Sequence, residues 1–154
     1  MRIALYQPDI AGNVGTILRM AACFGVPVDI IEPCGFPFSD RALKRAGMDY
    51  ASQAETSRHA DWESFADSVA GRRVLLTVSG DTALPDAVFT ADDILIAGSE
   101  SAGVPPHVHE AAALRLRIPL RPGMRSLNVA VATGIALGEM LRQTRRWPGG
   151  DKAP

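Results

Sequence analysis

Short apolar runs alternate with helical segments along this chain, and this alternation restricts the fold more than any other feature of the sequence. The first run, Arg2–Tyr6, is followed by a helical pattern over residues 13–25 and then by a second run, Val28–Ile31. The apolar residues of the helical pattern fall on one face of a helical wheel. A strand–helix–strand order predicts two parallel strands joined by a right-handed crossover. The start of the chain therefore predicts an α/β fold.

The same alternation continues towards the carboxyl end. The further segments predicted from the sequence are helices over 39–47, 61–70, 104–110 and 127–146, and strands over 73–78, 93–97 and 114–118. This order predicts three layers, α/β/α, around a mainly parallel sheet. Because no internal repeat or linker interrupts it, we expect one domain over residues 1–146 and a flexible tail over residues 147–154.

Four loops of the predicted sheet should lie close together. In sheets of this kind, ligands bind beyond the carboxyl ends of the strands. The loops that leave these ends follow Tyr6, Val78, Ala97 and Ile118. We therefore expect a binding site where the four loops meet.

Polar residues are concentrated on or just after three of these loops. Asn13 and Arg19 lie on the first helix, where the simplest interpretation is a helix cap and a solvated surface charge. Glu100 comes shortly after an apolar strand, and an unpaired charge at a buried strand end is costly. Ser126 and Asn128 form a polar corner before the last helix. These three clusters are candidate parts of one site.

The last helix and the loop before it are the most distinctive part of the sequence. The loop 121–126 offers several backbone N–H groups between two rigid elements, which suits a polar small molecule. The helix has no charged residue from 129 to 138, and Ala130, Gly134 and Gly138 recur every four residues. Such a stripe of small residues allows another backbone to approach closely, either within the core or from a second subunit.

Charge and motif content disfavour several classes of function. The formal net charge is −1, so a nucleic-acid site has to come from local clusters of basic residues. The clusters are Arg41, Lys44 and Arg45, and then Arg142, Arg145 and Arg146. The second cluster also complements the dipole of the last helix. Neither glycine-rich phosphate-binding motif is present, which disfavours a phosphate cradle.

Metal, redox and membrane functions are not indicated. His59, His107 and His109 have no carboxylate or cysteine partner at ligand spacing, so we expect no metal. Cys23 and Cys34 lack metal or redox spacing, which is typical of inert cytosolic thiols. No apolar run approaches the length that spans a bilayer, and no signal peptide precedes the first strand. We expect a cytoplasmic protein.

The polar clusters contain three short motifs. They are Asn13-x-Gly15-x-x-x-Arg19, then residues 96–105 around Glu100, and then Ile118-Pro-Leu with residues 126–130. In this order they resemble the three motifs of the SPOUT superfamily of S-adenosylmethionine-dependent RNA methyltransferases. The resemblance covers residues 2–146, nearly the whole chain.

Within that superfamily the chain is similar to the minimal, single-domain enzymes that methylate the ribose 2′-hydroxyl of the tRNA wobble nucleotide. The similar segments are 5–10, 31–36 and 43–50. The chain departs from that group at Gln7, Ala11 and Ser99, where the group usually has Glu, a nearby proline and a proline or similar residue. The resemblance implies methylation of a wobble pyrimidine in the anticodon loop. Another tRNA or rRNA site and a catalytically silent RNA-binding dimer are the alternatives.

The resemblance also implies an architecture and a cofactor. The C-terminal part of the sheet would be tied in a deep trefoil knot. Two copies would form an isologous homodimer through the first and last helices. The cofactor, S-adenosyl-L-methionine, would bend into the knot. Its contacts would be Leu76, Thr77, Gly98, Gly103, Ile118, Leu120, Ser126 and Leu127.

The resemblance further implies roles in catalysis and in substrate binding. Arg19, supplied by the partner subunit, would stabilise the alkoxide that develops on the ribose. Arginine is a poor base, so the identity of the general base stays open. Glu100, Ser126 and Asn128 would position Arg19, the ribose or the cofactor. The residues that contact the tRNA anticodon stem-loop would be Asn13, Arg19, Arg41, Arg45 and Arg142.

Overall fold

A seven-stranded parallel sheet runs through the part of the chain that the computed structural model describes, residues 1–37 and 53–149. Its strands are β1 (Arg2–Tyr6), β2 (Val28–Ile31), β3 (Thr56–His59), β4 (Arg72–Leu76), β5 (Thr82–Ala83), β6 (Asp93–Ala97) and β7 (Leu114–Arg117). The helices are α1 (Ala11–Phe24), α2 (Trp62–Ser68), α3 (Pro106–Glu110) and α4 (Val129–Thr144), with a 3-10 turn at Leu84–Asp86. The helix predicted over residues 39–47 lies outside the described residues.

The order of strands across the sheet is β3-β2-β1-β6-β4-β7-β5, and every neighbouring pair is parallel. Ile3 of the central strand β1 lies beside Val28 of β2 on one side and Leu95 of β6 on the other. β6 is buried along its whole length because both faces of the sheet are covered. The predicted class, α/β with a mainly parallel sheet, is confirmed, while the trefoil knot stays a prediction.

Two separate clusters of apolar side chains cover the two faces of the sheet. On one face α1 and α4 pack together, with Ile17 and Leu18 of α1 and Leu137 of α4 almost fully buried. On the other face α2 contributes Phe65 and α3 contributes Val108. Burial of these side chains supplies the main stabilising term for the sheet. The three predicted layers are therefore present.

The edge strands β3 and β5 were not predicted from the sequence. β3 is the segment Thr56–His59, which contains no aliphatic residue and alternates between exposed and half-buried positions. It forms by backbone pairing with β2, with Thr56 beside Val28. An edge strand has one neighbour and little apolar burial, so no apolar pattern marks it. β5 has only two residues.

The ends of the predicted elements differ slightly from those observed. β4 ends at Leu76, two residues before the predicted end, and α4 is shorter than the predicted 127–146 at both ends. α2 begins with a side-chain cap, because the side chain of Asp61 accepts a hydrogen bond from Ser64 N at 2.7 Å. Helix ends shift by a residue or two because local caps and turns, rather than periodicity, determine where helices stop.

The small residues of α4 serve a contact inside the chain. A Cβ atom at Gly134 would lie 3.2 Å from Met20 Sδ on α1, so the absence of a side chain lets α1 pack closely. Gly138 faces Trp147, whose ring packs edge-on against Phe24 with the ring centroids 5.1 Å apart. Trp147 therefore contacts the helix layer, while the flexible tail over residues 147–154 stays a prediction.

Two buried aspartates join neighbouring strands near the amino edge of the sheet. Asp93, at the start of β6, accepts hydrogen bonds from Nε and Nη2 of Arg72 on β4, both 2.7 Å long. Thr90 donates to the same carboxylate through its backbone N–H and its hydroxyl. Asp29 of β2 accepts two hydrogen bonds from Arg2 of β1. Each carboxylate is fully buried and has several donors, as a buried charge requires.

We predict that Asp93→Asn destabilises the protein in a pH-dependent way. Burial raises the pKa of Asp93, but hydrogen bonds from Arg72 and Thr90 to the charged carboxylate outweigh burial and lower the pKa. The stabilisation is therefore complete above the pKa of an unfolded aspartate, and it is lost as pH falls through the lower pKa of the folded protein. Near neutral pH we expect a loss of about 3 kcal/mol in the free energy of unfolding.

Urea unfolding at neutral pH and at about pH 3.5 tests this prediction, since the second value lies below the pKa of an unfolded aspartate. The difference between wild type and Asp93→Asn should narrow in acid. Asp67→Asn, at an exposed position of α2, is the control and should match wild type at both pH values. A difference that stays constant or widens in acid would contradict the prediction.

Candidate active site

A cavity of about 640 Å³ opens at the carboxyl edge of the sheet, where four loops meet. Its walls come from the loops that follow β1, β4, β6 and β7, and from the first turns of α1 and α4. The prediction that these loops lie close together is confirmed. The volume is in the range of pockets that bind cofactors and small molecules.

The lining of this cavity is apolar at some positions, polar at others, and not basic. Leu75, Leu76 and Ile118 offer aliphatic surface, while Thr77 and Ser126 offer hydroxyl groups. Glu100 is the only acidic residue in the lining, and no lysine or arginine from residues 1–37 or 53–149 contributes to it. Such a lining gives a phosphate group no counter-charge and suits a neutral or positively charged ligand with an apolar part.

The residues expected to contact the cofactor all lie on the wall of this cavity. They are Leu76, Thr77, Gly98, Gly103, Ile118, Leu120, Ser126 and Leu127. Three other expected site residues, Asn13, Glu100 and Asn128, line the same cavity. The structure thus brings the three sequence motifs together, and the individual roles of these residues stay predictions.

A chain of side-chain hydrogen bonds connects the three motifs. Asn13 Nδ2 on α1 donates to Glu100 Oε1 at 2.8 Å. Asn128 Nδ2, at the start of α4, donates to Asn13 Oδ1 at 2.9 Å. The other oxygen of the carboxylate, Glu100 Oε2, accepts the backbone N–H of Asp9 at 2.8 Å. The alternation of donors and acceptors fixes the orientation of both asparagine amides.

Asn128 also begins the last helix. Its Oδ1 accepts hydrogen bonds from Ala130 N at 2.9 Å and from Val131 N at 3.3 Å, which is the N-cap arrangement. The same side chain thus uses its acceptor for the helix and its donor for Asn13. Asn128 therefore locks the end of the 118–128 loop to the first helix.

The turn between residues 99 and 103 forms the wall that carries Glu100. Ser99 and Gly103 exchange two backbone hydrogen bonds of 3.1 and 2.9 Å across it. Gly103 has a φ of 68°, a left-handed conformation that suits glycine. A Cβ atom at Gly98 would lie 2.8 Å from the carbonyl carbon of Gly103, so a side chain there would push the turn away.

Two of the arginines expected to bind substrate, Arg19 and Arg142, do not line this cavity. Arg19 is exposed on α1. Arg142 lies 14 residues beyond Asn128, which is about 20 Å along a helix, and donates two hydrogen bonds to Glu139. Arg41 and Arg45 lie outside the described residues. The substrate-binding roles of these four arginines stay predictions.

Several residues of the site were not expected from the sequence. Ile10, Val104 and His109 line the cavity, and Asp9 supports the turn that carries Glu100. No pattern in the sequence assigns His109 to this site. Asp9 lies in the loop after β1, so the rule that loops at strand ends meet would have included it. Within the described ranges, no group of three or more His, Cys, Asp or Glu residues is arranged to hold a metal ion.

Of the helices in the described part of the chain, none combines the length and apolar character needed to cross a bilayer.

A cavity at the carboxyl edge of a parallel sheet, walled by a glycine-rich turn, is typical of α/β proteins that bind a small organic ligand. The chain belongs to the SpoU rRNA methylase family, whose family model matches residues 1–138. It is therefore a methyltransferase by family, and the resemblance to the SPOUT superfamily is confirmed.

The similarity to known proteins covers nearly the whole chain. The tRNA (cytidine(34)-2′-O)-methyltransferase of Beijerinckia indica subsp. indica is 56% identical over 144 residues, which cover 92% of this chain and 90% of that protein. A solved structure concerned with the 2-OH methylation of C/U34 on tRNA has a TM-score of 0.86 and 38% identity, covering 92% of this chain and 94% of that one. The structure of the AdoMet-bound rRNA methyltransferase of Sinorhizobium meliloti has a TM-score of 0.80 and 29% identity. The match covers 92% of this chain and 55% of that one.

We predict that two substitutions of Asn128 separate its two tasks. Asn128→Ala removes the helix cap and should lower the free energy of unfolding by about 1 kcal/mol. Asn128→Ser keeps a good cap, so it should retain most of that stability, but its side chain is too short to reach Asn13.

Urea unfolding measures the cap, and the side-chain amide signal of Asn13 in ¹⁵N NMR spectra measures the second contact. Both variants should shift the Asn13 signal, while only Asn128→Ala should lose stability. Equal loss of stability in the two variants would show that the cap is not what Asn128 contributes.

Proposed function

We propose that this protein transfers a methyl group from S-adenosyl-L-methionine to the ribose 2′-hydroxyl of the wobble cytidine in a tRNA anticodon loop. The observation that carries the proposal is the cavity that joins all three motifs at one edge of the sheet. The relatives named for cytidine 34 support the substrate, because they match this chain over nearly their full length. A cytoplasmic location, where tRNA is available, is part of the same proposal.

The cavity suits S-adenosyl-L-methionine better than it suits a nucleoside phosphate. The aliphatic wall formed by Leu75, Leu76 and Ile118 fits an adenine ring, and the carboxylate of Glu100 favours a cation nearby. When bound, this cofactor supplies an activated methyl group, which passes to the 2′ oxygen as the carbon–sulfur bond breaks and the hydroxyl loses its proton. The chain's own residues then have to orient the ribose and stabilise the charge on its oxygen.

The polar network of the site fits an orienting role. Both oxygens of the Glu100 carboxylate accept hydrogen bonds from the protein, and so does the carbonyl oxygen of Asn13. These groups hold the wall of the cavity in place, which makes the alignment of the ribose oxygen and the methyl group reproducible. A guanidinium beside the ribose oxygen would favour the negative charge that develops there. We assign that task to Arg19, and the general base stays open.

Because Arg19 lies on the outer face of α1, away from the cavity of its own chain, we propose that it acts in the cavity of a partner subunit. The adjacent helix α4 exposes Val131 and Ile135, at 52% and 44%, four residues apart on one face. An isologous homodimer would bury this face twice and place both copies of Arg19 at the interface. The site would then be complete only in the dimer.

The first experiment measures transfer of labelled methyl groups from S-adenosylmethionine to total tRNA and, separately, to rRNA. The modified nucleoside is identified by mass. We expect 2′-O-methylcytidine at the wobble position. Label in rRNA alone would overturn the tRNA substrate and favour the rRNA alternative, and wild-type protein that binds no cofactor would overturn the proposed function.

We predict that Arg19→Ala lowers methyl transfer by about 100-fold or more, because the developing charge on the ribose oxygen loses its stabilising group. Cofactor affinity should change much less than the rate, because the charge that Arg19 stabilises develops only during transfer. Arg19→Lys keeps the charge without the planar fork and should retain part of the activity. Single-turnover experiments measure the transfer rate of the three proteins, and calorimetric titrations measure their cofactor affinity. Full activity in Arg19→Ala would show that this residue has no part in the mechanism.

We predict that Ile135→Glu converts the dimer to monomers and abolishes transfer, because a charge would be buried at the interface. Sedimentation equilibrium measures the state of association. Val88→Glu is a matched control: Val88 is also an exposed aliphatic residue, at 71%, but it lies in the segment between β5 and β6 and on neither α1 nor α4.

A mixing experiment tests whether Arg19 acts across the interface. Arg19→Ala is combined with Ser126→Trp, a variant whose cavity is blocked. Random exchange of subunits gives half heterodimers, each with one intact site, so about a quarter of wild-type activity should return. No recovery after verified exchange would place Arg19 in its own chain's site.

A further inference from the structure

We propose that Asp9 is a positioning residue, which holds the 99–103 turn against the loop after β1 and so sets the cofactor-binding wall. The link to a cofactor rests on the proposed function, whereas the contact itself does not. None of the three motifs contains Asp9, and its side chain is not part of the cavity lining.

One oxygen of Asp9 gathers three donors from the turn. Oδ2 accepts hydrogen bonds from Ser99 Oγ at 2.7 Å, Ser101 Oγ at 2.5 Å and Ser101 N at 3.0 Å. These donors flank Glu100 on both sides along the chain. Hydrogen bonds from neutral donors to a charged carboxylate are among the stronger ones in proteins. The turn is therefore attached at the two residues that determine where Glu100 points.

The backbone of Asp9 also contacts the turn, this time as a hydrogen-bond donor. Its N–H donates to Glu100 Oε2 at 2.8 Å, while the other oxygen of that carboxylate receives Asn13. Asp9 thus holds the turn through its side chain and the carboxylate of Glu100 through its backbone. A displaced Asp9 would release Glu100, and with it the connection through Asn13 to Asn128.

The surrounding chain keeps Asp9 in this position. Gln7, two residues earlier, has a φ of 44°, which is uncommon for a residue other than glycine and turns the chain out of β1. Gly35 N donates to Pro8 O at 2.9 Å. A Cβ atom at position 35 would lie 3.0 Å from Asp9 Cα and 3.1 Å from Asp9 Oδ1. The loop after β2 therefore packs tightly against Asp9, and a side chain at position 35 would require Asp9 to move by a few tenths of an ångström.

The electrostatic state of Asp9 agrees with this role. Hydrogen bonds from the hydroxyl groups of Ser101 and Ser99 and from the backbone of Ser101 lower its pKa, so the carboxylate is ionised at neutral pH. An ionised oxygen that already accepts three hydrogen bonds is a poor proton acceptor for a substrate. Asp9 therefore acts on the reaction through the turn and not through the reacting atoms.

The direct test compares Asp9→Ala with the double variant Ser99→Ala/Ser101→Ala, which removes both hydroxyl donors and leaves Asp9 intact. Hydrogen–deuterium exchange of the amides in residues 99–103 should be faster in both. The dissociation constant for S-adenosylmethionine should rise by about tenfold in Asp9→Ala. The triple variant combines Asp9→Ala with the two serine substitutions. Its dissociation constant should rise by less than the two separate effects combined, because both sets of substitutions remove the same contacts.

Two further variants control for general destabilisation. Asp61→Ala removes another aspartate that accepts a backbone hydrogen bond, but on α2, away from the cavity. It should lower stability and leave both the turn and the cofactor affinity unchanged. Gly35→Ala changes no hydrogen-bonding group, yet it should displace Asp9 and weaken cofactor binding in the same direction as Asp9→Ala.

The outcomes separate this inference from the proposed function. Unchanged exchange in residues 99–103 of Asp9→Ala would overturn the positioning role, whatever the cofactor does. Faster exchange with unchanged cofactor affinity would also overturn it, because the turn would then not set the wall. Wild-type protein that binds no S-adenosylmethionine would overturn the proposed function, and exchange alone would then decide the structural contact.

Discussion

The carboxylate of Glu100 is the group on which the geometry of the site depends. One oxygen accepts the backbone N–H of Asp9 and the other accepts the amide of Asn13, each at 2.8 Å. Asn13 extends the connection to Asn128, where α4 begins. A charge at a buried strand end would be costly without partners. With a donor on each oxygen, the carboxylate specifies where three loops, which follow three different strands, meet. The apolar residues of the lining do not determine the positions of these loops in this way.

The parallel sheet and the location of the cavity were predictable because both follow from local patterns. A continuous aliphatic run such as Ile94-Leu-Ile96 is stable only where both faces of a sheet are covered, and the carboxyl ends of parallel strands meet at one edge. β3 was not predictable, since its residues carry no apolar pattern.

The partners in the polar network were not predictable either. Asn13 and Asn128 are 115 residues apart, and their contact depends on how α1 and α4 pack. The stripe around Gly134 was compatible with a contact inside the chain or between chains, and the position of Met20 shows that a contact inside the chain is present.

Charged groups have different tasks at the two edges of the sheet. Near the amino edge, Asp29 and Asp93 are completely buried, and each is paired with an arginine from a neighbouring strand. The arginine neutralises the carboxylate charge in each pair, so these pairs contribute to stability and strand order. At the carboxyl edge, Glu100 and Asp9 pair with neutral donors from loops. Neutral donors hold a loop in place without cancelling the negative charge, which stays available to a cationic ligand.

The absence of basic side chains from the described lining has a consequence for competition in the cell. ATP shares its adenosine group with the proposed cofactor and is far more abundant than most adenosine compounds. Its triphosphate would meet the carboxylate of Glu100 and find no cation on this wall, so entry would cost the desolvation of several negative charges. On this wall, charge therefore disfavours a nucleoside triphosphate, in addition to any effect of fit.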